Sequence, residues 1–218
     1  MCAIKQLSLL FLQILNKKLI YLIRHGQTDF NKMGIVQGCG VDSVLNEEGQ
    51  HQAAAFYAAY RHIPFDLVVT SSLIRTQQTA FAFLSQKIKH QIIPEFNEIN
   101  WGTLEGEKPN EENKKAFYQM LQTWENGNYH AAINGGESPY QVQQRMKKGI
   151  ASLQQSQAQT VLIVSHGRAM RVLLCTLLNL PLSKMESFPH NNTSLYLLSQ
   201  ENGKTSLVKS NSTEHLFF

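Results

Sequence analysis

Two kinds of stretch alternate along the chain. Leu19-Ile20-Tyr21-Leu22-Ile23 is an unbroken apolar run with no period of two, the pattern of a strand covered on both faces. Asp66-Leu67-Val68-Val69-Thr70 and Thr160-Val161-Leu162-Ile163-Val164 repeat it, and Ile92-Ile93 before Pro94 predicts a shorter strand between them. The intervals carry helical spacing. Asn46 reads as an N-cap, with Glu47 and Glu48 suited to a helix start, and Ala53, Phe56, Tyr57 and Tyr60 share a face before Pro64. A helix follows the second strand to about Lys87, and another is expected around Glu111 to Trp124. Ser138-Pro139-Tyr140-Gln141 is a capping box with proline at the first helical position, ahead of Val142, Met146, Ile150 and Leu153. An apolar helix runs from Gly167 to about Leu178, and late strands over Asn191 to Leu198 and Thr205 to Val208 flank an Asn202-Gly203 turn. Strands alternating with amphipathic helices predict an α/β fold, a three-layer α/β/α sandwich with a mainly parallel central sheet.

Composition narrows the picture in three respects. The 218 residues, 43% of them apolar, suit one domain with a sizeable core. The net charge of +4 is spread without a run of five or six cations, which fits a small anionic substrate and argues against nucleic acid. Cys2, Cys39 and Cys175 are too few and too far apart for a disulfide framework or a zinc ribbon, so a reducing, cytoplasmic setting is expected. The first 17 residues stand apart. Leu7 to Leu15 is mostly apolar, yet no small-x-small site follows and the run is too short to span a bilayer. Residues 1–17 are expected to be a leading segment before a domain over 18–218, with an export signal in 1–16 as the lesser alternative.

The chemistry gathers where the strands end. Arg24-His25-Gly26 follows the first, Ser71 to Arg75 the second, and Ser165-His166-Gly167 the fourth. Parallel strands bring such ends to one edge of the sheet. Two arginines, two histidines and a carboxylate from the loop Glu95 to Gly106 are therefore expected to converge. Arginine forks and helix-start N–H groups favour phosphate as the anion. A histidine held among cations stays neutral and nucleophilic. The leaving oxygen needs a proton, and Glu98 is the first candidate, with Glu95 and Glu105 open on these grounds. The stretch 107–134 reads either as a surface helix with one apolar face or as a lid.

From about Lys18 to Leu216 the chain resembles the histidine phosphatase superfamily, in its phosphoglycerate mutase-like branch and near its broad-specificity or α-ribazole phosphatases. The motifs are Leu22-Ile23-Arg24-His25-Gly26-Gln27-Thr28 with Asn31, then Gln37-Gly38 and Asp42 through Gly49. They continue through Ser71 to Ala80, Glu98-Ile99-Asn100-Trp101-Gly102 with Glu105-Gly106, and Val164-Ser165-His166-Gly167, and close on Asn192-Thr193-Ser194 and His215-Leu216. The resemblance implies a phosphoric monoester hydrolase of the histidine acid type, acting on a small phosphate ester without metal or other cofactor. His25 would be the nucleophile. Arg24, Arg75 and His166 would hold the phosphoryl oxygens, with Asn31 assisting. Gln37, Gly38, Ser71 and Gly167 would complete the binding site, and Glu98 would be the proton donor. Trp101 and Leu104 depart from the family's usual Phe and Trp, which bears on substrate choice. Two other readings are a cofactor-dependent phosphoglycerate mutase, which the short interval Glu107 to Asn134 argues against, and a non-catalytic phospho-ligand module, which the complete set of pocket residues argues against. No membrane partner is expected.

Overall fold

A computed structural model describes residues 17–217, so the leading segment expected over 1–16 lies outside the described residues. Six strands form one sheet: β1 (Lys17–Arg24), β2 (Leu67–Thr70), β3 (Lys89–Ile92), β4 (Thr160–Ser165), β5 (Leu195–Glu201) and β6 (Lys204–Ser212), in the order β3-β2-β4-β1-β5-β6. The pairs β1–β4, β2–β4 and β2–β3 are parallel, while β5 runs antiparallel to both β1 and β6. The helices are α1 (Asp29–Met33), α2 (Glu47–Tyr60), α3 (Ile74–Leu84), α4 (Glu111–Glu125), α5 (Pro139–Gln155) and α6 (Gly167–Leu177). Among the described residues no helix is long and apolar enough to cross a membrane.

The absence of a period of two has a direct cause. Along β1, Ile20 and Leu22 enter one core cluster with residues of α5 and α6, whereas Tyr21 and Ile23 enter a second cluster with residues of α2 and α3. Both faces of the sheet are covered, which makes the expected three layers. The predicted caps are present: Asn46 accepts from the Gly49 amide, and Ser138 and Gln141 form the reciprocal box. Asn202 and Gly203 both take positive φ, 50° and 77°, at the turn of the β5–β6 hairpin.

Several boundaries differ from the sequence reading, among them the last strand, expected over Thr205 to Val208 and observed as Lys204–Ser212. The strand expected at Ile92-Ile93 is Lys89–Ile92, and Ile93 is buried beyond its end. It is a sheet edge, so its side chains stay largely exposed and leave no apolar signature. Helix α3 stops at Leu84 rather than near Lys87. The residues from Asn191 to Ser194 form a turn, and β5 begins only at Leu195.

Candidate active site

Strands β2, β4 and β1 are neighbours in the sheet, so their carboxyl ends meet. The His25 amide donates to the Ser165 carbonyl at 2.9 Å, which continues the β1–β4 ladder one residue past Arg24. Next to it, Gly26 packs against the backbone of Gly49, where a Cβ would collide, and its amide donates to Thr79 Oγ1 at 3.0 Å. This close approach fixes the His25 ring. Its Nδ1 lies 2.7 Å from the Gly26 carbonyl, which can only accept, so Nδ1 carries the proton and Nε2 keeps its lone pair. Burial pushes the imidazole well below its usual pKa, and the Arg75 and Arg24 charges push the same way. The ring is neutral at ordinary pH.

His166 is tied at both nitrogens. Arg75 donates Nε–H to its Nδ1 at 3.1 Å, so the proton sits on Nε2 and goes to Ser71 Oγ at 2.8 Å. Ser71 passes its own proton to Thr76 Oγ1 at 3.0 Å, and Thr76 donates to the Leu73 carbonyl at 2.8 Å. Burial again lowers the His166 pKa, with Arg75 and then His25 adding to the effect. The two imidazole centroids are 5.2 Å apart. Arg75 is fully buried and is aimed by the loop before α2, through the carbonyls of Val41 at 2.8 Å and Gly38 at 3.1 Å.

Arg24 is held more loosely. Its Nη1 reaches the His190 ring at 3.4 Å and the His190 carbonyl at 3.5 Å, and its Nε is buried with no partner among the described residues. Burial lowers this guanidinium to about 10, opposed by Glu98 and reinforced by Arg75 and Arg171. An incompletely bonded buried cation next to a neutral imidazole is a site that an anion completes. His190 fills the space left by Gly167, where a Cβ would press on its ring. Burial and three guanidinium groups hold it down to about 3.

Geometry separates the three candidate acids. Glu98 lines the cavity, its carboxylate seated on the start of α6 by the amides of Ala169 at 2.7 Å and Arg168 at 3.0 Å. Glu105 is turned away, accepting from the amides of Trp101 and Gly40, each at 2.8 Å, so it ties two loops together. Neither it nor Glu95 lines the cavity.

The cavity encloses about 720 Å³, and Arg24, Asn31, Gln37, Glu98 and Gly167 of the expected set stand in its wall. His25, Arg75 and His166 are almost fully buried and are not among the residues that line the cavity. Asn31 also caps α1 and accepts from Asn192 at 3.3 Å. Ser71 and Gly38, expected to touch substrate, stand one step back, on His166 and Arg75, and neither lines the cavity. His190, unmarked in the sequence, also stands in the wall, and Asn192, which the sequence marked only as part of the closing motif, donates to the His25 carbonyl at 2.9 Å. A lone histidine in a loop carries no local pattern that marks it. From α4, Asn113, Lys114, Phe117 and Tyr118 close the far side.

Known proteins resemble this chain over most of its length. Residues 20–213 match the family described as histidine phosphatase superfamily (branch 1). The chain is 31% identical to phosphoserine phosphatase 1 of Hydrogenobacter thermophilus over 90% of its own length and 93% of that protein. It is 33% identical to the adenosylcobalamin/alpha-ribazole phosphatase of Escherichia coli, covering 78% and 83% of the two chains. The crystal structure of the alpha-ribazole phosphatase from Shigella flexneri superposes with a TM-score of 0.79 at 30% identity, over 89% of this chain and 96% of that one. A match over nearly the whole described length, with both histidines and both arginines brought together, means that the chain belongs to the histidine phosphatase superfamily, branch 1.

Proposed function

We propose that the protein is a phosphomonoesterase that works through a phosphohistidine on His25, acting on a small phosphorylated metabolite. The observation that carries this is the Nδ1 proton of His25, committed to the Gly26 carbonyl at 2.7 Å. It leaves Nε2 as a fixed lone pair among arginines. The Nε2 lone pair attacks phosphorus and the P–O bond to the alcohol breaks, with Glu98 giving the alkoxide its proton. Glu98 then takes a proton from water as the water attacks the phosphohistidine, which returns neutral His25 and releases phosphate. Arg24 and Arg75 hold the phosphoryl oxygens, where charge stabilisation carries most of the rate. His166, expected to hold a phosphoryl oxygen, has both nitrogens engaged and supports Arg75 instead, accepting its Nε–H at 3.1 Å. Asn31, Gln37 and Gly167 complete the wall, while Gly38 and Ser71 hold Arg75 and His166 in place.

The leaving group belongs on the far side of the cavity, where Met33, Ile35, Trp101, Leu104, Phe117 and Tyr118 gather. Of the cations in the wall, Lys114 is paired with Glu111 and Arg168 with Glu186. This wall suits a bulky, partly apolar leaving group better than a small one carrying a carboxylate. Residues 107–134 serve as the lid over it, within a single domain that begins near Lys18. A rapid acid-free quench during turnover of para-nitrophenyl phosphate tests the scheme. Acid-labile phosphate is expected on the wild type and absent from His25→Ala, whose turnover is abolished. Retention of even a few per cent of activity by His25→Ala overturns the assignment.

A further inference from the structure

Arg145, on the second turn of α5, takes no part in the scheme above and does not line the cavity. It nevertheless uses its whole guanidinium on one target. Nε and Nη2 fork onto the two carboxylate oxygens of Glu137 at 2.8 and 2.9 Å. Nη1 donates to the carbonyls of Glu95 at 2.7 Å and Asn97 at 2.8 Å, and Nη2 donates to the carbonyl of Glu98 at 3.0 Å. A guanidinium has five N–H donors, and these contacts engage each of them. Glu137 extends the grip past Glu98. Its carboxylate accepts from the Asn100 amide at 3.0 Å, and its own amide donates to the Asn100 carbonyl at 2.7 Å.

The Arg145–Glu137 pair therefore holds the backbone on both sides of the candidate acid, while the start of α6 holds its carboxylate. Five donors in a fixed fork cannot be supplied by another side chain. Both side chains are mostly shielded, at 19% and 26% exposure, so water competes weakly for these bonds.

We infer that Arg145, with Glu137, is a positioning residue for Glu98: it sets the acid's place in the cavity and thereby the proton transfer to the leaving oxygen, without touching substrate. The inference rests on the role proposed for Glu98. Arg145 makes no hydrogen bond to Arg24 or Arg75, to which phosphate capture is assigned.

The value of kcat/KM reports the steps up to loss of the alcohol, and a poor alkyl leaving group needs the proton more than an aryl one. In purified full-length protein, Glu98→Gln is expected to lower kcat/KM for alkyl phosphates well beyond that for para-nitrophenyl phosphate. Arg145→Gln is expected to reproduce that split, with a loss on alkyl phosphates of roughly 10- to 100-fold, the scale set by displacement of a catalytic group by about an ångström. The inhibition constant of inorganic phosphate stays within about threefold of wild type, as expected when the arginines holding it are untouched. Glu137→Gln, which retains one acceptor, gives a smaller loss with the same selectivity and covers the case in which Arg145→Gln fails to fold. Adding Arg145→Gln to Glu98→Gln costs nothing further on alkyl phosphates, because both act through one group. If Glu98→Gln shows the split but neither the Arg145 nor the Glu137 variant does, the positioning role is overturned and the scheme stands. If Glu98→Gln shows no split, the role of Glu98 fails first.

Discussion

Arg75 donates its Nε–H to Nδ1 of His166 across 3.1 Å, so that imidazole holds its proton on the opposite nitrogen, against Ser71. Ser71, which has no exposed surface, accepts that proton and holds the ring in place. Ser71→Ala removes the acceptor and leaves the buried Nε2–H without a partner. Loss of a buried partner costs about 1–3 kcal/mol, so kcat/KM on para-nitrophenyl phosphate should fall roughly 5- to 150-fold, and phosphate should bind more weakly. Values within twofold of wild type would show that the relay from Arg75 to Thr76 is only packing.

Gly38 has a purely steric reason for its identity. A Cβ there would overlap Glu105 Oε1 and the Ile99 carbonyl, and the residue's own carbonyl holds Arg75. Gly38→Ala should lower stability by about 1–3 kcal/mol in a denaturant titration, the usual cost of overpacking. It should also weaken inhibition by inorganic phosphate, because Arg75 moves with the loop. A stable variant with unaltered phosphate inhibition would separate the loop from the arginine.

Five histidines have their pKa lowered in the folded protein: His25 and His166 well below 6.5, His190 to about 3, His215 to about 4, and His90 below 6.5. Burial is the first cause in each. The unfolded chain protonates these groups near pH 6.5 and the folded chain does not, so folding stability is complete above that pH and falls as the pH drops below it. The loss continues toward pH 4 and 3, where His215 and His190 in turn take up protons in the folded state. Each histidine contributes up to about 1.4 kcal/mol per pH unit. Urea midpoints between pH 8 and 4 should show the decline, and His215→Gln should make it shallower.

Tyr118 is 66% exposed yet stands in the cavity wall. Tyr118→Ala should leave the unfolding temperature nearly unchanged. It should raise KM for 1-naphthyl phosphate about 2- to 10-fold, the scale of a lost aromatic contact, and leave glycerol phosphate unaffected. Equal changes for both substrates would move the leaving group away from α4.

Much of this was legible beforehand, for physical reasons that differ by element. The runs through Leu22, Val68 and Ile163 mark their strands because both faces are covered and every position is apolar. The sequence places the start of edge strand β3 three residues too far along, because Lys89 and His90 face solvent and only Ile93, beyond its end, is buried. Short α1 escaped the same reasoning. It has one turn, capped by Thr28 and Asn31, and no buried residue to give it a period. Residue types alone left Glu95, Glu98 and Glu105 open, and the amides of α6 distinguish them in space.

The sequence by itself determined the layered α/β fold and the set of strand ends that carry Arg24, His25, Arg75 and His166, because hydrophobic periodicity and strand-to-helix punctuation are local properties of the chain. Only the tertiary structure decided the tautomers of the two histidines, where each of the three acids stands relative to the cavity, and the contacts of Arg145, His190 and Asn192. Those depend on hydrogen bonds between residues far apart in the chain, 47 positions from Arg145 to Glu98 and 166 from Arg24 to His190. A hydrogen bond is fixed by distance and angle, and no local pattern encodes which distant carbonyl or imidazole will meet the donor once the sheet has closed.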